Sequence, residues 1–185
     1  MVLLTVLRKI QRKEKQARVL ILGLDNAGKS TLVARALQRP LDEVTPTLGF
    51  QIHTLEYGGL HLNLWDVGGQ KSIRPFWHNY FEKTDFLVWV VDATALDRLE
   101  SAREELVATL QEEEDRLVGA GLLIWLNKIE ARPDIDLAEV ERALGLDEIK
   151  NHHNCLVLPC SAFTGQGVTE GLEYIAQEIK ERLYR

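Results

Sequence analysis

The feature that most narrows what this chain can fold into is a change of pattern near its start. The apolar run "RVLILG" ends at Gly23, the loop "LDNAGKS" follows, and "TLVARALQ" resumes at helical spacing. A strand, a glycine-bounded loop and a helix in that order satisfy G-x-x-x-x-G-K-[ST] at Gly23, Gly28, Lys29 and Ser30, in the structural context that pattern requires. Glycine opens backbone conformations closed to residues with a Cβ and lets amides point inward at a phosphate. The helix beginning near Lys29 adds its positive N-terminal end, Lys29 a full charge against β and γ oxygens, and Ser30 a hydroxyl for Mg²⁺. The loop is therefore expected to wrap a phosphate chain.

Further along, short apolar runs alternate with helical patterns: "FLVWVVDA" at 86–93, a helix after it, "GLLIWLNK" at 121–128, "CLVLPCSA" at 155–162, and a last helix over 168–183. Val, Ile and Leu on both faces of these runs mark buried parallel strands. Between the first helix and "FLVWVVDA" lie "FQIHTLEY" and "LHLNLWDV", two alternating runs joined by Gly58 and Gly59, a hairpin signal that adds one antiparallel edge. The expected class is α/β, with no internal repeat and no linker to a second domain. At 185 residues the chain is long enough for one substantial core.

A net charge of −6 argues against nucleic acid as a partner, so an anion must be held locally. Cys155 and Cys160 have no matching pair at zinc spacing and read as reduced, buried thiols of a cytoplasmic protein. The adjacent His152 and His153 read as a surface loop. In the opening segment Leu3, Leu4, Val6, Leu7 and Ile10 share one helical face, with Arg8, Lys9, Arg12, Lys13 and Lys15 mostly opposite, so residues 1–16 are expected to form an amphipathic helix ahead of a domain over 17–185. The segment lacks the features of a secretory signal, and Val2 stands where N-terminal acylation needs Gly, so no stable membrane anchor is expected.

Later motifs carry the rest of the chemistry. In "WDVGGQ" at 65–70, Asp66 can reach Mg²⁺ through water, Gly69 lets a backbone N–H approach a γ-phosphate, and the neutral amide of Gln70 can both donate to and accept from a nucleophilic water. In "EVTPTLGF" at 43–50, Thr47 offers a hydroxyl to Mg²⁺ and an N–H to the γ-phosphate, with Thr45 a competing choice. "LNKIE" ends a buried strand, where ligand sites of open α/β sheets collect. There Asn127 can face a purine edge, Lys128 can cover a ring with its stem, and Glu130 can accept from N–H donors. The N–H of Ala162, in "CSA", can meet a base carbonyl, and a carbonyl beside N–H donors is guanine.

With "GLDNAGKST", "PTLGF", "WDVGGQ" and "SA" in order over essentially the whole chain, the sequence resembles the Arf family of small GTPases. "LLTVLRKI", "NLWDVGGQKSIRPFWHNYF" and "KNHHNCLVLPCSA" are most similar to an Arf-like branch of it. The resemblance implies a P-loop NTPase fold: a mostly parallel six-stranded sheet with one antiparallel edge strand and helices on both faces. It implies GTP and GDP as ligands with Mg²⁺, and slow intrinsic hydrolysis. Asp25, Asn26, Ala27, Gly28, Lys29, Ser30 and Thr31 would hold the phosphates, Ser30 and Thr47 the metal, and Asn127, Lys128, Ser161 and Ala162 guanine. Gly69 would sense the γ-phosphate and Gln70 position the water. Phe50, Trp65 and Tyr80 match the aromatic trio offered to effectors, although core packing explains aromatics equally well. Implied partners are effectors in the GTP state, a GTPase-activating protein, an exchange factor, and tubulin-folding cofactors or carriers of prenylated or acylated cargo. The expected protein is a monomer, cytoplasmic and cytoskeleton-associated.

Two departures stand out: Glu130 replaces the Asp of N-K-x-D, displacing a carboxylate by one methylene, and Val2 replaces Gly. No arginine in the matching motifs is an obvious internal finger, leaving Arg74 and Arg98 open as candidates. A P-loop small-molecule kinase shares Gly23 to Ser30 but calls for an Arg-rich lid that this chain lacks. A nucleotide-bound scaffold without turnover keeps the same fold.

Overall fold

The computed structural model describes residues 15–112, 117, 119–151 and 153–184, so the amphipathic helix expected over 1–16 and His152 lie outside the described residues, apart from Lys15 and Gln16. Among them the strands are β1 (Gln16–Leu22), β2 (Phe50–Tyr57), β3 (Leu60–Val67), β4 (Phe86–Asp92), β5 (Gly121–Asn127) and β6 (Cys155–Pro159). The helices are α1 (Lys29–Ala36), α2 (Leu99–Glu112), α3 (Leu137–Ala143), α4 (Leu146–Lys150) and α5 (Val168–Tyr184).

The sheet runs β2-β3-β1-β4-β5-β6, and only β2 is antiparallel to its neighbour, in register from Phe50↔Val67 to Tyr57↔Leu60. Gly58 and Gly59 both take positive φ, +58° and +77°, which the two-residue turn needs to follow the twist of its strands. Sheet class, antiparallel edge and hairpin agree with the expectation from sequence. β1 begins at Gln16, one residue ahead of the expected domain start.

The apolar runs cover both faces because helices flank both. In β4, Leu87, Trp89 and Val91 face a core shared with Ala102 and Leu106 of α2, while Phe86, Val88 and Val90 face one shared with Leu32 of α1 and Ile175 of α5. Two-sided burial is why this strand shows no polar alternation. α3 and α4, and the 3₁₀ turn Arg74–Tyr80, have no counterpart in the sequence expectation. They are too short for a periodic stripe, and each is anchored by one or two residues such as Val140, Leu146 or Trp77. No helix among the described residues is long and apolar enough to cross a membrane.

Candidate functional site

All the loops that leave the C-terminal ends of β1, β3, β4, β5 and β6 open on one edge of the sheet, where the strand order turns outward in both directions from β1. Ligands of open α/β sheets sit in that crevice. The loop after β1 is shaped by Asn26 and Gly28 at positive φ, +62° and +91°. A Cβ on Gly28 would stand 2.3 Å from the Asn127 Nδ2, so only glycine fits. α1 starts at Lys29 without a side-chain cap on its first turn. Its free N–H groups and dipole suit an anion.

Lys29 is 6% exposed, and its ammonium donates to Gly23 O at 2.9 Å and Leu24 O at 2.8 Å. Burial lowers its pKa to about 8 against the opposing pull of Asp66 and Asp25. Thr31 lies half-buried on the same turn.

Three oxygens meet beside Lys29. Thr47 donates to Asp66 Oδ2 at 3.1 Å, and Ser30 Oγ lies 2.8 Å from Thr47 Oγ1. Thr47 is buried within this cluster, whereas Thr45 is exposed. Asp66 is 1% exposed, and its Oδ1 has no hydrogen-bond partner. An orphaned carboxylate oxygen beside two hydroxyls is a hard-cation donor set, and these residues fit Mg²⁺. Gln70 donates from Nε2 to Thr47 O at 3.2 Å, leaving its buried Oε1 without a partner.

Gly69 packs directly on the phosphate loop: Asp25 N–H donates to Gly69 O at 3.1 Å, and a Cβ on Gly69 would lie 2.4 Å from Gly23 O. Arg74 and Arg98 both close on this corner. Arg98 donates to Asp25 O at 3.0 Å and Oδ1 at 2.7 Å; Arg74 donates to Gly69 O at 3.0 Å, Asp25 Oδ1 at 3.2 Å and Glu105 Oε1 at 2.9 Å. Burial pushes the Asp25 carboxyl up, but the Arg98 hydrogen bond and the charges of Arg98 and Arg74 hold it below its ordinary value. Both guanidinium groups are thus engaged with protein acceptors.

On the other side, Asn127 joins three loops. Its Nδ2 donates to Ala27 O at 2.9 Å, and its Oδ1 accepts from Ala162 N at 2.9 Å. The Ala162 N–H, expected to face a base carbonyl, is therefore turned onto Asn127. Lys128 stands at φ +68° and reaches back over the phosphate loop to Asn26 O at 2.8 Å and Asp92 Oδ2 at 2.6 Å. Burial raises the Asp92 carboxyl less than its bonds to Lys128 and Thr94 lower it. Ser161 is fully buried and accepts from Thr164 N at Oγ, 2.9 Å. Glu130 is exposed on the turn Ile129–Ala131. Sequence reasoning missed Asp92, although its place at the end of a buried strand was a usable signal.

Phe50 stacks on Trp65 with centroids 5.5 Å apart and planes 13° from parallel, and Tyr80 tilts against both. Trp65 also carries the Arg18 guanidinium 3.6 Å over its ring. Phe50 remains 45% exposed, alongside exposed Leu48, Ile52 and Phe76, while Trp65 and Tyr80 lean on the core. The trio serves packing and surface together.

The model of the ADP-ribosylation factor family matches residues 3–179. ADP-ribosylation factor-like protein 2 of Drosophila melanogaster is 48% identical over 98% of this chain and 97% of its own length. The protein of the same name from Arabidopsis thaliana is 45% identical over the same shares. Among solved structures, the Arl6 small GTPase of Trypanosoma brucei, bound to the nucleotide analogue GppNp, superposes with a TM-score of 0.81 at 29% identity, covering 90% of this chain and 98% of that one. A phosphate loop, a hydroxyl–carboxylate cluster and an amide-lined crevice on one sheet edge, in a chain this similar to these relatives over nearly all its length, place it in the ADP-ribosylation factor family of small GTPases, which bind guanine nucleotide, hydrolyse GTP and switch between GTP and GDP states.

Proposed function

We propose that this chain is a magnesium-dependent GTP/GDP switch whose metal is held by Ser30 and Thr47, with Asp66 acting through water, and whose hydrolysis is guided by Gln70. The observation that carries this reading is the Ser30–Thr47–Asp66 chain of hydroxyls and carboxylate, closed at 2.8 and 3.1 Å with Asp66 Oδ1 left unpaired in the interior. Mg²⁺ there would neutralise charge on the β and γ oxygens. Lys29, freed from Gly23 O and Leu24 O, turns its charge onto the same oxygens. Amides of Asn26 and of Gly28 to Thr31 take the remaining lone pairs, and Gly69 brings its N–H to the γ-phosphate. Water attacks the γ-phosphorus as the bond to the bridging oxygen breaks. Gln70 holds that water through Oε1, its Nε2 being fixed on Thr47 O. Because Thr47 anchors both the metal cluster and Gln70, loss of the γ-phosphate releases both together.

Asn127, Lys128, Glu130, Ser161 and Ala162 form the guanine side; nucleotide entry exchanges the Ala162–Asn127 bond for contacts with the base. With Arg74 and Arg98 both committed to Asp25, the missing transition-state charge comes from an activating protein. Phe50, Trp65 and Tyr80, within the exposed patch of Leu48, Ile52 and Phe76, receive effectors in the GTP state. The same reading takes partners in tubulin folding or lipidated-cargo transport and a cytoplasmic site of action.

Single-turnover GTP hydrolysis in Mg²⁺ and in EDTA, with wild type and Gln70→Leu, tests the assignment. The expected result is metal-dependent phosphate release that falls about 10²-fold in the variant. Equal rates would remove Gln70 from its role.

A further inference from the structure

Arg74 is held by three acceptors that belong to three different segments. Its Nε donates to Gly69 O at 3.0 Å in the loop after β3, its Nη2 to Asp25 Oδ1 at 3.2 Å in the phosphate loop, and its Nη1 to Glu105 Oε1 at 2.9 Å on α2. The side chain is only 11% exposed. Exposed ion pairs contribute little, because solvent and side-chain entropy offset the attraction. A mostly buried guanidinium with each nitrogen on its own acceptor is a different case, since the planar fork fixes the angle between the groups it joins. Arg98 grips the same corner, donating to both the carbonyl and the carboxylate of Asp25. Moving Asp25 away from Arg74 therefore breaks two further bonds.

What Arg74 fixes is the backbone on both sides of Gln70. Gly69 O accepts from Arg74 Nε and from the Asp25 N–H, and Gln70 O accepts from the N–H of Ile73 at 2.8 Å and of Arg74 itself at 3.3 Å. The two carbonyls that flank the Gln70 Cα are thus both tied, one by the Arg74 side chain and one by the turn that Arg74 closes. Gln70 Oε1 meanwhile stays buried without a partner. We infer that Arg74 is a positioning residue for GTP turnover: it locks the Gly69–Gln70 peptide to the phosphate loop, so that the Gly69 N–H and Gln70 Oε1 are aimed at the γ-phosphate and the attacking water before either arrives. The inference rests on the roles proposed above for Gly69 and Gln70. Donors fixed in advance cost no ordering when the γ-phosphate binds. GDP has no γ-phosphate and gains nothing from that arrangement. Loss of the lock therefore shows as a difference between nucleotides and not as a general weakening.

The test uses the full chain with Arg74→Gln and Arg74→Lys, in Mg²⁺. Equilibrium binding is measured for GDP and for the non-hydrolysable GTP analogue GppNp, and single-turnover GTP hydrolysis is measured with Arg74→Gln alone and combined with Gln70→Leu. Arg74→Gln is expected to bind GDP as wild type does and GppNp about 2- to 30-fold more weakly, the range over which single residues change the coupling between sites. Arg74→Lys is expected to follow Arg74→Gln, because one ammonium cannot span three acceptors set apart by a planar fork. Hydrolysis is expected to fall over a similar range in Arg74→Gln, but by under about twofold once Gln70→Leu is present, because both substitutions remove one function. The proposal is overturned if GppNp affinity is unchanged, or if GDP and GppNp weaken together, which marks a purely structural role. It is equally overturned if Arg74→Lys matches wild type, which reduces the group to its charge, or if the hydrolytic losses of Arg74→Gln and Gln70→Leu multiply. Wild-type rates that Gln70→Leu leaves unchanged refute the reading on which the inference rests, a separate outcome.

Discussion

The lowered pKa of Lys29 makes nucleotide affinity depend on pH in a direction that the structure sets. In the empty site the ammonium titrates at about 8, against 10.5 for an ordinary lysine, because burial disfavours its charge. A bound polyphosphate supplies the counter-charge and restores the high pKa, so binding takes up a proton wherever the empty site has lost one. Affinity therefore falls as pH rises through 8. Taking the bound pKa as well above 9, the loss between pH 7.5 and 8.5 is about threefold, with uptake growing from roughly a quarter to three quarters of a proton. Stability of the empty protein moves oppositely: between about 8 and 10.5 the unfolded chain holds a proton that the folded one lacks, so this group contributes increasing stability as pH rises. Calorimetric titration of GDP at both pH values, in two buffers of different ionisation enthalpy, reads affinity and proton uptake together. Lys29→Arg, which stays charged, removes the slope from whatever affinity it retains. Flat affinity and buffer-independent heats in wild type would show that Lys29 keeps its proton throughout, and the argument from burial would fail.

Asn127→Ala strands the buried Ala27 carbonyl and Ala162 amide; at about 1–3 kcal/mol for each unpaired group, the nucleotide-free protein should melt roughly 4–24 °C lower, and a shift under about 2 °C would contradict that junction. Gly171→Ala places a Cβ 2.4 Å from the Trp125 Nε1 across the α5–β5 packing, an overpacking expected to cost about 1–3 kcal/mol in denaturant unfolding, with unchanged stability arguing against that contact.

Much of this protein is written in local pattern. The turn to glycine after "RVLILG" identifies the phosphate loop because the backbone conformations it needs are set by residue type within a few positions. Two-sided apolar runs identify buried strands, and Gly58–Gly59 the hairpin, for the same reason: period and turn chemistry are short-range codes. What only the tertiary structure decided are the polar pairings between distant segments. Thr47 rather than Thr45 joins Ser30 and Asp66 because the hairpin register brings its hydroxyl there. Arg74 and Arg98, 49 and 73 residues away, converge on Asp25, and Asp92 fixes Lys128. Ala162 bonds Asn127, and Phe163 is left facing water. A side chain's partner depends on which strand ends lie side by side, and strand order is settled by packing the whole sheet between its two layers of helices.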